Sequence, residues 1–140
     1  MFRSILVPVD LDEPASWDKA LEAGIALSRQ FGASLALATV VPDLRLILEA
    51  QQAPITLEEM LETARARLDV LADTLEGSDG ISRHVEAGGI YSTILAIADT
   101  VHADLIVMAS HHPAMKDYLL GSNASRVVRH ATCSVMVVRH

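Results

Sequence analysis

Two stretches of this chain are apolar without interruption, Ile5-Leu6-Val7-Pro8-Val9 and Leu105-Ile106-Val107-Met108-Ala109. A strand with one face in water alternates apolar and polar residues, whereas an unbroken run marks a strand covered on both faces. Such strands need helices above and below them, so the rest of the chain must supply two helical layers.

It does so in strict alternation. After the first run come polar residues to Pro14, a favoured first-turn residue of a helix. Trp17, Ala20, Leu21, Gly24, Leu27 and Phe31 then recur three or four apart, predicting an amphipathic helix that ends at Gly32. Residues 34–41 read as a second strand, closed by Pro42. Residues 43–56 keep no clear period, although 44–48 could form a helical turn over the core. Thr56 and Glu59 have capping-box spacing at the head of a helix whose stripe is Leu57, Leu61, Ala64, Leu68, Leu71 and Leu75. Gly77 and Gly80 bracket a turn before a third strand over 81–86. Gly88-Gly89 ends it, and Ile90, Ile94, Ile97, Ala98 and Val101 line a third helix. After the strand at 105–109, residues 110–120 read as a loop, 122–130 as a fourth helix and 135–138 as a fifth strand. The pattern predicts a three-layer α/β fold with a parallel sheet.

The 140 residues suit one domain, 1–140, and a chain of this length buries roughly 68–70% of its unfolded surface without help from metals or disulfides. Eleven Lys plus Arg against eighteen Asp plus Glu give a net charge of −7, which argues against nucleic acid or an acidic membrane as a partner. The single cysteine, Cys133, fits a reducing compartment. No stretch approaches a membrane span, and residues 1–8 hold no signal-peptide core, so the expectation is a cytoplasmic protein.

Open parallel sheets bind ligands beyond the carboxyl ends of their strands. That points to Pro8-Val9-Asp10, to Val40-Val41, and to Ala109-Ser110-His111-His112-Pro113. Downstream, Gly121-Ser122-Asn123-Ala124 opens a helix: a glycine allows close approach, and free N–H groups with the helix dipole attract an anion. The same residues also suit a plain helix cap. Asp10 reads equally as a turn carboxylate or as an acceptor for a base or sugar. His111-His112 lacks the companions of a metal site and suits a phosphate or ribose better. His130 suits a helix C-terminus, His84 and His102 the surface, and Cys133 packing. There is no G-x-x-x-x-G-K-[ST], G-x-G-x-x-G or G-x-S-x-G, which excludes a Walker-type NTPase and leaves a dinucleotide fold or a hydrolase elbow without support.

The start Ile5-Leu6-Val7-Pro8-Val9-Asp10, with the run Leu119-Leu120-Gly121-Ser122-Asn123-Ala124 and the later Val127-Val128-Arg129-His130-Ala131, resembles the universal stress protein family over essentially the whole chain. Ser110-His111-His112-Pro113 before that run is most similar to the bacterial F/G-type subgroup. The resemblance implies a Rossmann-like, adenine nucleotide alpha hydrolase-like sheet of five parallel strands in order 3-2-1-4-5. It also implies ATP, ADP or AMP, with or without Mg2+, between strands one and four, and a homodimer through residues 134–138. By position, Pro8, Val9, Asp10 and Val40 would meet the adenine side, Ala109, His111 and His112 the ribose and phosphates, and Gly121, Ser122, Asn123 and Ala124 the phosphates, with Met108 and Ser110 also in the nucleotide site. The family pattern G-x2-G-x9-G-[ST] is altered here: Ala109 and His112 replace its first two glycines, and eight residues rather than nine precede Gly121.

The expected function is a stress-response module regulated by nucleotide. Two alternatives stand beside it. One is a slow ATP hydrolase or self-phosphorylating or adenylating protein, using Asp10 with a metal, or Ser110 and Ser122 as acceptors. The other is a nucleotide-free dimer that acts through protein contacts. Apolar residues 134–138 would form a sheet edge, and an uncovered edge invites pairing.

Overall fold

The two uninterrupted apolar runs lie side by side at the middle of one sheet. The computed structural model describes residues 1–110 and 120–139. These run β1 (Ser4–Pro8), α1 (Pro14–Phe31), β2 (Ser34–Val41), α2 (Arg45–Ala50), α3 (Leu57–Asp73), a 3₁₀ turn (Ser78–Gly80), β3 (Ile81–Ala87), α4 (Ile90–Thr100), β4 (Leu105–Ala109), α5 (Ser122–His130) and β5 (Ser134–Val138). All pairings are parallel, in the order β3-β2-β1-β4-β5. Ile5 stands opposite Leu105 and Leu6 opposite Ile106. Ile5, Leu6, Val7, Ile106 and Val107 are fully buried, as two-sided coverage requires.

Alternation along each strand divides the core in two. Ile5, Val7, Leu35, Leu37, Leu105 and Val107 face Trp17, Ala20 and Leu21 of α1 with Leu68 and Ala72 of α3. Leu6, Ala36, Ala38, Ile106 and Met108 face Ile94, Ile97 and Ala98 of α4 with Ala124 and Val127 of α5.

Local chemistry sets the helix ends. Pro14 opens α1, and Gly32 closes it at φ 63°, a left-handed conformation that costs glycine little. Thr56 and Glu59 complete the capping box: the Glu59 N–H donates to Thr56 Oγ1 at 3.2 Å, and the Thr56 N–H to Glu59 Oε2 at 3.3 Å. The helical turn expected over the core at 44–48 is realised differently. The helix α2 forms, but none of its residues is buried and Leu46 is 82% exposed. Six residues make under two turns, too few to present a continuous apolar stripe to a sheet. The first strand also starts one residue earlier than expected and ends at Pro8. No helix among the described residues is long and apolar enough to cross a membrane.

β1 hands over to α1 on one face, and its neighbour β4 is followed in the described chain by α5 on the other. The two connections diverge at adjacent carboxyl ends, which is the topological switch point of this sheet.

Candidate functional site

A cavity of about 480 Å3 opens at that divergence, within the roughly 300–1,000 Å3 usual for small-molecule sites. It straddles the end of the sheet. On the α4/α5 side its walls are Ala38, Val40, Ile90, Ile94 and Met108, with Asn123 at the start of α5. On the α1/α3 side they are Trp17, Thr39, Val41, Met60, Ala64 and Arg67. The turn after β1 forms the rim between the two wings.

Hydrogen bonds fix that turn from several directions. An Asp10 carboxylate oxygen accepts the Asp12 N–H at 3.0 Å. The Asp10 carbonyl accepts the Glu13 N–H at 3.0 Å and the Trp17 indole N–H. From α3, Arg67 donates to Asp12 Oδ1 at 2.8 Å and to the Leu11 carbonyl at 2.7 Å. Asp10 is thus a turn carboxylate that also lines the cavity.

At the other rim, the Gly121 N–H donates to the Ser110 carbonyl at 2.7 Å, and the Ser110 N–H to the Val138 carbonyl at 3.0 Å. The end of β4 is therefore stitched to the start of α5. Gly121 takes the N-cap position at φ −57°, ψ 153°, and no side chain caps the helix among the described residues. The first backbone N–H groups of α5 have no partner within the helix, and they carry the positive end of its dipole.

Of the residues anticipated for the site, Pro8, Val9, Asp10, Val40, Met108, Ala109 and Asn123 line the cavity together. Ser110, Gly121 and Ala124 are buried beside it, and Ser122 is exposed; none of these four contributes to its wall. His111 and His112 lie outside the described residues, as does most of the expected 110–120 loop. Trp17, Thr39, Ile55, Met60, Thr63, Ala64 and Arg67 enter the site without having been anticipated. Six of them sit on helices or a loop whose local sequence carries no ligand motif. Thr39 alone had a signal, as a hydroxyl in a strand that is otherwise apolar after Ser34.

The remaining chemical candidates sit elsewhere. His130 ends α5 and stacks on Tyr91, ring centres 5.8 Å apart, with Arg126 over the same ring at 5.3 Å. His84 is on β3 and contacts Ser82 Oγ at 3.2 Å, while His102 is in the turn after α4 at φ 52°. Burial pushes the Cys133 thiol above its ordinary value, the opposite of an activated nucleophile. Among the described residues no cluster of three or more His, Cys, Asp or Glu is placed to hold a metal.

Known proteins resemble this chain in sequence and in fold. The sequence profile described as "Universal stress protein family" matches residues 1–139. Universal stress protein G of Salmonella typhimurium is 33% identical over 142 residues, spanning 99% of this chain and 100% of that protein. A universal stress protein solved in complex with cAMP superposes with a TM-score of 0.73 at 20% identity, covering 98% of this chain and 97% of its own. The universal stress protein from Archaeoglobus fulgidus in complex with dAMP superposes at 0.69 and 19% identity, covering 96% of each chain. Profile, full-length relative and strand order agree, and the chain belongs to the universal stress protein family.

Proposed function

We propose that this chain binds an adenine nucleotide in the switch-point cavity and works in the cytoplasm as a nucleotide-dependent module of a stress response. The observation that carries the reading is the meeting of two different surfaces in one cavity. Apolar walls, among them Val41, Met60 and Ala64, suit a base, and Asn123 with the start of α5, which no described side chain caps, suits phosphates. Asp10 at the rim can accept from ribose hydroxyls. The cAMP and dAMP complexes of the two structural relatives support the same ligand class.

ATP, ADP and AMP all fit this reading. Mg2+ would be held chiefly by phosphate oxygens and water, as is usual for that ion, with Asp10 and the Arg67-paired Asp12 as carboxylates on the cavity wall. We further propose a homodimer built on β5, which pairs with β4 along one edge and has no strand of the described residues on the other. Occupancy would then alter the surfaces around the cavity that a dimer presents to its partners.

Thermal unfolding of nucleotide-stripped protein tests the ligand. Adenosine, AMP, ADP, ATP and cAMP would each be added at saturation, with and without Mg2+. A ligand at one hundred times its Kd stabilises the folded state by about 2.7 kcal/mol, roughly 5–11 °C for a chain of this size. A shift with the nucleotides supports the reading. No shift with any of them overturns it.

A further inference from the structure

After Ser34, β2 reads Leu-Ala-Leu-Ala-Thr-Val-Val, so Thr39 is its one polar residue. It is 6% exposed and lines the cavity. Alternation places it on the face of Leu35 and Leu37, the face covered by α1 and α3. Its hydroxyl forms no hydrogen bond to any described residue. Every polar side-chain atom sealed from solvent in the described molecule does have a partner, so the Thr39 oxygen must look into the open space of the cavity.

Its neighbours in that wing are already engaged. The Trp17 indole N–H is given to the Asp10 carbonyl, Arg67 to Asp12 and the Leu11 carbonyl, and the Ser16 hydroxyl to the Glu13 carbonyl at 2.7 Å. Thr39 is left as the buried side chain in this wing with hydrogen-bonding capacity to offer. Folding alone would favour valine here. It has the same shape and the same preference for strands, and it brings no hydroxyl out of water. A threonine at this depth is a liability to the fold and an asset to a ligand.

We infer that Thr39 determines specificity in this wing, hydrogen-bonding the polar edge of a base lodged between the sheet and α3. The inference rests on the nucleotide reading. A hydroxyl both donates and accepts, so it can meet either a ring nitrogen or an exocyclic amine. Met60, Ala64 and Val41 supply apolar surface around it, and the hydroxyl gives that surface a reason to prefer a heterocycle over a plain hydrocarbon ring.

The test compares Thr39→Val and Thr39→Ser with the parent protein by calorimetric titration of adenosine and AMP, with melting curves of each unliganded protein. Thr39→Val is expected to bind both ligands about 3- to 10-fold more weakly, the range for one lost hydrogen bond, while melting at the same or a higher temperature. Thr39→Ser is expected to keep most of the affinity. Equal binding by Thr39→Val and the parent overturns the inference and leaves the nucleotide reading intact. A loss confined to AMP, or a loss as large in Thr39→Ser, would mean that Thr39 acts on the phosphate or through its shape, and either result overturns it. A parent protein that binds neither ligand overturns the nucleotide reading and this inference with it.

Discussion

Arg67 on α3 reaches across to Asp12 and holds its carboxylate at 2.8 Å, while a second guanidinium nitrogen takes the Leu11 carbonyl at 2.7 Å. Asp12 is 81% exposed, so the ion pair itself adds little to stability. Its effect is positional, because it ties the turn that carries Asp10 to a helix forming the opposite wall. Arg67→Met would keep the stem that covers the rim and lose both bonds. The expected result is a change in unfolding free energy below about 1 kcal/mol, with measurably weaker nucleotide binding by calorimetry. High salt should mimic part of the loss in the parent protein and none in the variant. Unchanged affinity would show that the turn holds its shape without Arg67.

α1 approaches β1 so closely that a Cβ on Gly24 would stand 2.5 Å from Val7 Cγ2. Alanine is the better helix former by about 1 kcal/mol, but overpacking a core costs about 1–3 kcal/mol, and Val7 is fully buried with nowhere to retreat. Gly24→Ala should therefore destabilise in urea titration. Adding Val7→Ala should make the double variant more stable than the two single losses predict, by a coupling of about 0.5–3 kcal/mol. Additive losses would mean that α1 shifts as a body instead.

The carbonyl of Val138 accepts the Ser110 N–H, so it points toward β4. Successive residues of a strand turn their N–H and C=O to opposite sides, which directs those of Val137 to the outer edge. Val137→Pro then removes an edge donor and leaves the β4–β5 ladder whole. We expect a folded monomer by sedimentation and circular dichroism. A dimer that survives the substitution would exclude the β5 interface.

Asp104 holds the entry to β1. Its carboxylate accepts the Arg3 N–H at 2.9 and 3.1 Å and the Ser4 N–H at 3.1 Å. Partial burial works to raise its pKa, but the N–H groups of Ser4 and Arg3 outweigh it and hold the carboxyl below its ordinary value. A depressed folded pKa contributes stability that is present above the unfolded value, about 3.9, and disappears as pH falls through the folded one. The stability difference between the parent and Asp104→Asn should be constant near neutrality and shrink below about pH 4. Urea titrations across that range would show it, and a difference that grows on acidification would contradict the assignment.

Much of this molecule was readable along the chain because its central strands are buried on both faces. Ile5 to Val9 and Leu105 to Ala109 could be little else, and the Thr56–Glu59 box marks the start of α3 by chemistry between residues three apart. The α4/α5 side of the cavity was legible for a similar reason: Val40, Met108 and Asn123 sit at strand ends or a helix start, where connectivity alone predicts a site. The α3 wing was not. Met60 and Arg67 reach the cavity only because α3 packs on β2 and β3, and Arg67 meets Asp12 across 55 residues of sequence. Nothing local in either sequence reports it. α2 shows the converse, since its leucines look like core residues and are not.

Trp17 is the chain's sole tryptophan. It is 8% exposed on the cavity wall, with its indole N–H anchored to the Asp10 carbonyl on the rim. The protein thereby contains its own spectroscopic reporter. Anything that displaces water from that wall, or bends the turn to which the ring is tethered, changes the polarity and constraint felt by one fluorophore at one place. Emission from the unmodified chain can therefore follow occupancy in real time, and a residue that serves the fold as core packing serves the experimenter as a gauge.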